Sequence, residues 1–86
     1  MYYVYVLKSK KTTKLYIGFT SDLKRRVIQH NNSEEKSTKH GVPWKLIYYE
    51  AFSSKLDAMR REKQIKVFKS AYGFLKKRIR NSLVDA

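Results

Sequence analysis

The 86-residue chain contains no cysteine, two histidines and seven acidic residues. Without cysteine there is no disulfide framework, no thiolate zinc site and no thiol nucleophile. His30 and His40 are too few for a metal centre built from imidazoles. No apolar run approaches the roughly 20 residues that a membrane span needs. The first residues also lack the basic stretch and small-residue cleavage site of a signal peptide, so a soluble, cytoplasmic protein without a membrane partner is expected. There are no internal repeats and no low-complexity segments. The shortage of acids matters most: 20 Lys+Arg against 7 Asp+Glu leave a formal charge of +13. That balance points to a polyanionic partner, nucleic acid first, with ribosomal RNA or acidic lipid open on charge alone. At this length one domain spanning 1–86 is expected, burying roughly 60% of its unfolded surface.

Tyr2-Tyr3-Val4-Tyr5-Val6-Leu7 is apolar or aromatic at every position, which describes a central strand covered on both faces. After a basic connection over 8–14, Leu15-Tyr16-Ile17-Gly18 returns as a second strand. A symmetric hairpin sets Leu7 against Lys14 and Tyr5 directly opposite Tyr16, their Cβ atoms about 5 Å apart. Thr20, Ser21 and Asp22 supply capping acceptors for a helix from about Ser21 to Asn31. Leu23 and Val27 form its apolar stripe, with Arg26 and His30 at the edge, one turn apart. Residues 32–44 are expected to be a mobile loop, punctuated by Gly41 and Pro43. Lys45 to Phe52 reads as a third strand, with Leu46, Tyr48 and Phe52 on one face. Ser54-Lys55-Leu56-Asp57 opens a helix through about Phe68. Ala58, Met59 and Ile65 form its stripe, with Glu62 in the middle, where an ionised carboxylate needs a cation, metal or arginine to meet it. Leu75, Ile79 and Leu83 mark a last amphipathic helix, with Lys76, Lys77, Arg78 and Arg80 outward. The fold class is therefore α+β, a three-stranded mainly antiparallel sheet flanked by helices in the order ββαβαα.

Taken singly, these polar residues have ordinary explanations: strand aromatics, a solvated helix face, a dipole cap and a buried ion pair. As an ordered set, Tyr3-Val4-Tyr5, Tyr16-Ile17-Gly18, Arg26 with His30, then Glu62, the pattern resembles the GIY-YIG nuclease family, above all its small stand-alone bacterial members. Asp22-Leu23-Lys24-Arg25-Arg26, Pro43-Trp44-Lys45-Leu46-Ile47-Tyr48-Tyr49-Glu50 and Arg61-Glu62-Lys63-Gln64-Ile65-Lys66 extend the likeness over nearly the whole chain. Tyr3 stands where the first signature has glycine, and Phe19 stands where some relatives have a lysine.

The resemblance implies a metal-dependent endonuclease acting on DNA, with RNA as the other polymer, selective for structure rather than sequence and serving repair or recombination. Glu62 would hold one Mg²⁺ (or Mn²⁺), and Arg26 would neutralise the phosphate. Tyr16 or Tyr5, its pKa lowered by nearby cations and His30, would take the proton from the attacking water. Lys8, Lys10, Lys11, Lys24 and Arg25 are the candidate nucleic-acid contacts. The rival is a non-catalytic nucleic-acid-binding module on the same scaffold, or an RNA-processing or ribosome-associated protein with the same charge.

Overall fold

The apolar run at the start of the chain forms β1 (Tyr2–Ser9), which lies between β2 (Leu15–Thr20) and β3 (Trp44–Phe52) in an antiparallel three-stranded sheet. These elements belong to a computed structural model that describes residues 1–85. Four helices complete it: α1 (Leu23–Asn31), α2 (Lys55–Val67), α3 (Lys69–Arg78) and α4 (Arg80–Asp85). The α+β architecture expected from the sequence is present, with the last amphipathic segment starting earlier, at Lys69, and divided at Ile79.

Helices lie on both faces of the sheet, which explains why β1 does not alternate. Val4 and Val6 pack with Ile17, Ala58, Ile65, Leu75 and Ile79 beneath α2 and α3. Tyr5 and Leu7 pack with Trp44, Tyr16, Leu23 and Val27 beneath α1. Asp22 caps α1 by accepting from the Arg25 N–H at 3.1 Å, and Ser54 caps α2 by accepting from Asp57 N–H at 3.3 Å.

Three local expectations are corrected. The hairpin closes two residues later than a symmetric reading predicts, so Leu7 faces Tyr16 and Tyr5 faces Gly18. The buried Ser9 hydroxyl causes this: it accepts from the Lys11 and Thr12 N–H groups and holds a tight turn, with Thr13 at a positive φ of 64°. Because the slip is two residues rather than one, Tyr5 and Tyr16 stay on one face. In β3 an extra residue enters between the partners of Val6 and Leu7, which face Tyr48 and Leu46. This bulge sends Leu46 to the α1 side and Tyr48 to the other, separating two residues expected to share a face.

The segment over 32–43 is anchored rather than loose. It contains a 3₁₀ turn, Lys39–Gly41, and Thr38 is buried. Trp44 donates its indole N–H to the Thr38 carbonyl at 2.7 Å, and the Ser9 hydroxyl donates to the Gly41 carbonyl at 2.6 Å. Asn31, at the end of α1, exchanges two hydrogen bonds with the Trp44 backbone, at 2.6 and 3.0 Å. Gly41 permits this closure, since a side chain there would occupy the place of the Trp44 ring.

Candidate active site

Tyr5 is fully buried, and its hydroxyl lies 2.8 Å from His30 Nε2. The opposing residue makes this possible: a Cβ at Gly18 would fall on the Tyr5 hydroxyl, so the glycine lets the phenol lie against the neighbouring strand. His30, also fully buried, places Nδ1 2.8 Å from Thr38 Oγ1, which in turn lies 3.4 Å from the Glu35 carbonyl. One assignment satisfies every proton in this line. Thr38 donates to the carbonyl, His30 donates from Nδ1 to Thr38, and Tyr5 donates to the bare Nε2. Among the described residues no buried side-chain nitrogen or oxygen lacks a partner.

Burial lowers the His30 pKa from its usual value, and the neighbouring Arg26 charge adds to the effect. Burial pushes the Tyr5 phenol up to about 12, against a hydrogen bond from Arg26 that favours the phenolate. The lowering expected for whichever tyrosine activates water is therefore reversed at Tyr5. These shifts predict a stability profile. Folding must keep His30 neutral, so stability should fall as the pH drops below the ordinary histidine value of 6.5. Tyr5 keeps its proton in the fold where the unfolded chain loses it, so stability should also fall as the pH rises from 10.0 towards about 12. Denaturation at a series of pH values should give a plateau between these limits. Tyr5→Phe should soften the alkaline decline specifically.

Tyr16 is only partly buried and completes an aromatic cluster, its ring centroid 6.3 Å from Tyr5 and 5.0 Å from His30. Lys66 of α2 reaches over it, with Nζ 5.7 Å from the ring centroid. The same ammonium pairs with Glu62 at 3.0 Å. Glu62 is not enclosed in the apolar stripe as its spacing suggests. Ala58 and Ile65 are the buried residues of α2, Met59 points outward, and the Glu62 side chain is 25% exposed at the flank nearest Tyr16. Its partner is a half-exposed lysine, so the pair is not a buried ion bridge. The Glu62 charge is close enough to contribute to the rise of the Tyr5 pKa.

Arg26 is held in a way that the sequence did not announce. Its guanidinium donates to Glu35 at 2.7 Å and to Gln29 at 3.2 Å. The Glu35 carboxylate keeps Arg26 firmly protonated, and Arg26 in return lowers the Glu35 pKa. The fold thus gathers Tyr5, Tyr16, Arg26 and His30 on the α1 face of the sheet and brings Glu62, from α2 on the opposite face, to the β2 edge beside Tyr16. A second network was also hidden in the sequence: Arg61, on the opposite flank of α2 from Glu62, makes a two-pronged pair with Glu50 at 2.8 and 3.0 Å. Tyr48 donates to the same carboxylate at 2.7 Å. Burial would raise the Glu50 pKa, but the hydrogen bonds from Arg61 and Tyr48 outweigh it and hold it low. This network braces α2 against β3.

The proposed nucleic-acid contacts divide. Lys10, Lys11, Lys24 and Arg25 are exposed. Lys8 lies on the other face, where its ammonium donates to the Leu83 carbonyl of α4 at 2.6 Å.

A tyrosine pair across a hairpin, an arginine on the following helix and a glutamate on a later one, set on a β2-β1-β3 sheet, define the class of small α+β catalytic domains read from the sequence. The sequence profile of the GIY-YIG catalytic domain matches residues 1–74, and the chain belongs to that family. Within it the chain is similar to the small stand-alone UPF0213 proteins. It is 41% identical over 68 residues to one from Staphylococcus saprophyticus, covering 78% of this chain and 82% of that one. It is 49% identical over 61 residues to one from Streptococcus agalactiae, covering 70% of this chain and 68% of that one. The solution structure of a UPF0213 protein from Bacillus halodurans, 34% identical, superposes with a TM-score of 0.55 over 90% of this chain and 84% of that chain.

Proposed function

We propose that the whole chain, 1–86, acts as one divalent-metal-dependent endonuclease domain that hydrolyses phosphodiester bonds in DNA. It would select substrate by structure rather than sequence, in repair or recombination. The observation that carries this reading is the convergence of Tyr5, Tyr16, Arg26, His30 and Glu62, scattered over 58 positions of sequence, around the β2 edge of the sheet. A phosphoryl transfer needs a base for the attacking water, positive charge on the phosphate oxygens and help for the leaving oxygen.

Tyr16 is the side chain placed to take the proton from the water, because it is partly open whereas the Tyr5 hydroxyl is buried and bonded to His30. Tyr5, His30 and Thr38 form the rigid wall that orients Tyr16. Arg26 meets the non-bridging oxygens once the substrate phosphate replaces Glu35 as its partner. Glu62 suits a hard divalent cation: it is a partly exposed carboxylate whose one partner is a half-exposed lysine. No group of three or more His, Cys, Asp or Glu side chains gathers among the described residues, so Mg²⁺ would be held jointly by Glu62, water and substrate oxygens. When bound it would supply positive charge to the phosphate and the leaving oxygen.

Pure protein incubated with labelled flap, nicked, single-stranded and duplex DNA and RNA, with Mg²⁺, with Mn²⁺ and with chelator, tests the proposal. Metal-dependent cleavage of at least one branched or nicked DNA is the expected result; binding to all with cleavage of none would leave the non-catalytic module. Affinity should fall with salt by a slope of about 0.9 per phosphate contacted. Removing one hydroxyl at a time, Tyr16→Phe should lower turnover far more than Tyr5→Phe. The latter retains the buried ring and loses the hydroxyl's bonds to His30 and Arg26. Equal turnover in both variants and wild type would reduce the tyrosines to packing.

A further inference from the structure

Across α1 from Arg26 lies a second, unassigned surface. An open groove of about 700 Å³ runs between α1 and β3, floored by Tyr3, Leu46 and Tyr49 and walled by Val27, Ile28 and Lys24. Tyr49 is 52% exposed and Ile28 50% exposed, large apolar surfaces left open beside a strand of the core. The rings of Tyr3 and Tyr49 meet edge to face with centroids 5.8 Å apart, so Tyr49 is braced upright rather than free to swing. The groove adjoins the site just described, since Tyr49 is the β-ladder partner of Tyr5.

The charge around it has a direction. At about 100° per residue, Lys24 projects on the groove flank of α1, Arg25 from its outer ridge and Arg26 on the flank nearest Tyr5. Lys24 and Arg25 are both exposed, and neither forms an ion pair among the described residues. Three consecutive cations therefore sweep over the helix from the groove to Arg26. The one acid at the groove mouth, Asp22, is engaged as the helix cap. A half-open aromatic face beside a track of cations is the pairing that binds an unpaired nucleobase on its own phosphate chain. A groove of this size also admits a planar base without rearrangement.

We propose that this groove is a stacking site for an unpaired base of the substrate strand, with Tyr49 as the platform and the strand's phosphates passing over Lys24 and Arg25 to Arg26. This rests on the nuclease reading for its destination. It adds that the preferred substrate carries single-stranded character beside the cut.

Fluorescence anisotropy in chelator, with a short labelled oligothymidylate, an abasic strand of equal length and a blunt duplex, tests it apart from catalysis. Tyr49→Ala should weaken the oligothymidylate roughly 5- to 150-fold, the range for loss of one stacking ring. The abasic strand and the duplex should be nearly unaffected. Tyr49→Phe, which retains the ring, should bind as wild type does, and melting curves confirm that the half-exposed position leaves the fold intact. Equal oligothymidylate affinity in Tyr49→Ala and wild type overturns the stacking site even if the enzyme cuts DNA. So does a change in oligomeric state on Tyr49→Ala, which would make the groove a contact between copies. Tyr49-dependent binding without cleavage of any substrate retains the site and removes the nuclease.

Discussion

Glu62→Gln should abolish cleavage and leave the fold standing. The substitution preserves size and shape but removes the charge that a hard cation requires from its one protein carboxylate. The structure sharpens the stability half of the expectation. Glu62 pairs with Lys66 in an i,i+4 arrangement with side chains 25% and 46% exposed. Such pairs are worth under about 1 kcal/mol, far from the 3–5 kcal/mol that breaking a buried bridge costs. Thermal denaturation with and without Mg²⁺, beside the cleavage assay, checks both halves. A Gln variant that still cuts would remove Glu62 from the metal site; one that unfolds would make the carboxylate structural.

Arg26→Ala should lower turnover by roughly 10²- to 10³-fold at saturating DNA, the scale for losing one donor to a developing oxyanion. Arg25→Ala, on the outer ridge of the same helix, should raise KM and spare kcat. Glu35 provides a further check. Because its carboxylate occupies the Arg26 guanidinium at 2.7 Å, Glu35→Gln should release that guanidinium and lower KM by a few-fold without loss of kcat. Equal effects of Arg25→Ala and Arg26→Ala on turnover would reduce Arg26 to one more surface cation. A Glu35→Gln variant with raised KM would mean that the pair positions Arg26 rather than competing for it.

Much of the fold was legible because its signals are local. The unbroken apolar run of β1, the Asp22 and Ser54 caps and the Leu75/Ile79/Leu83 spacing each act within a turn or a strand. The residues of the candidate site were legible as an ordered set, and the sheet brings them together. What remained hidden depends on distant partners. Ser9 shifts the hairpin by binding backbone on both sides of it, and the bulge after Leu46 is imposed by pairing with Val6 and Leu7. Thr38 looks like one more polar residue in a polar stretch, yet its hydroxyl contacts His30 and its carbonyl contacts Trp44. Glu62 misled because a helical wheel locates the stripe but not its edges. The packing of α2 across the sheet leaves that position at the rim, where a carboxylate can remain charged.

The sheet order sets a schedule for synthesis. The strand at the centre of the sheet is made first, and β2 follows within a few residues, so the β1–β2 hairpin can form early. The other edge of β1 has no partner until β3 is complete at Phe52, 32 residues after the end of β2 at Thr20. At about 5–20 residues per second, that leaves the aromatic edge of β1 unpaired for roughly 2–6 s on every nascent chain. An open, flat, apolar strand edge is the usual template for association between chains. Crowded polysomes translating this protein are therefore where aggregation should begin, and β3 is the segment whose arrival ends the hazard.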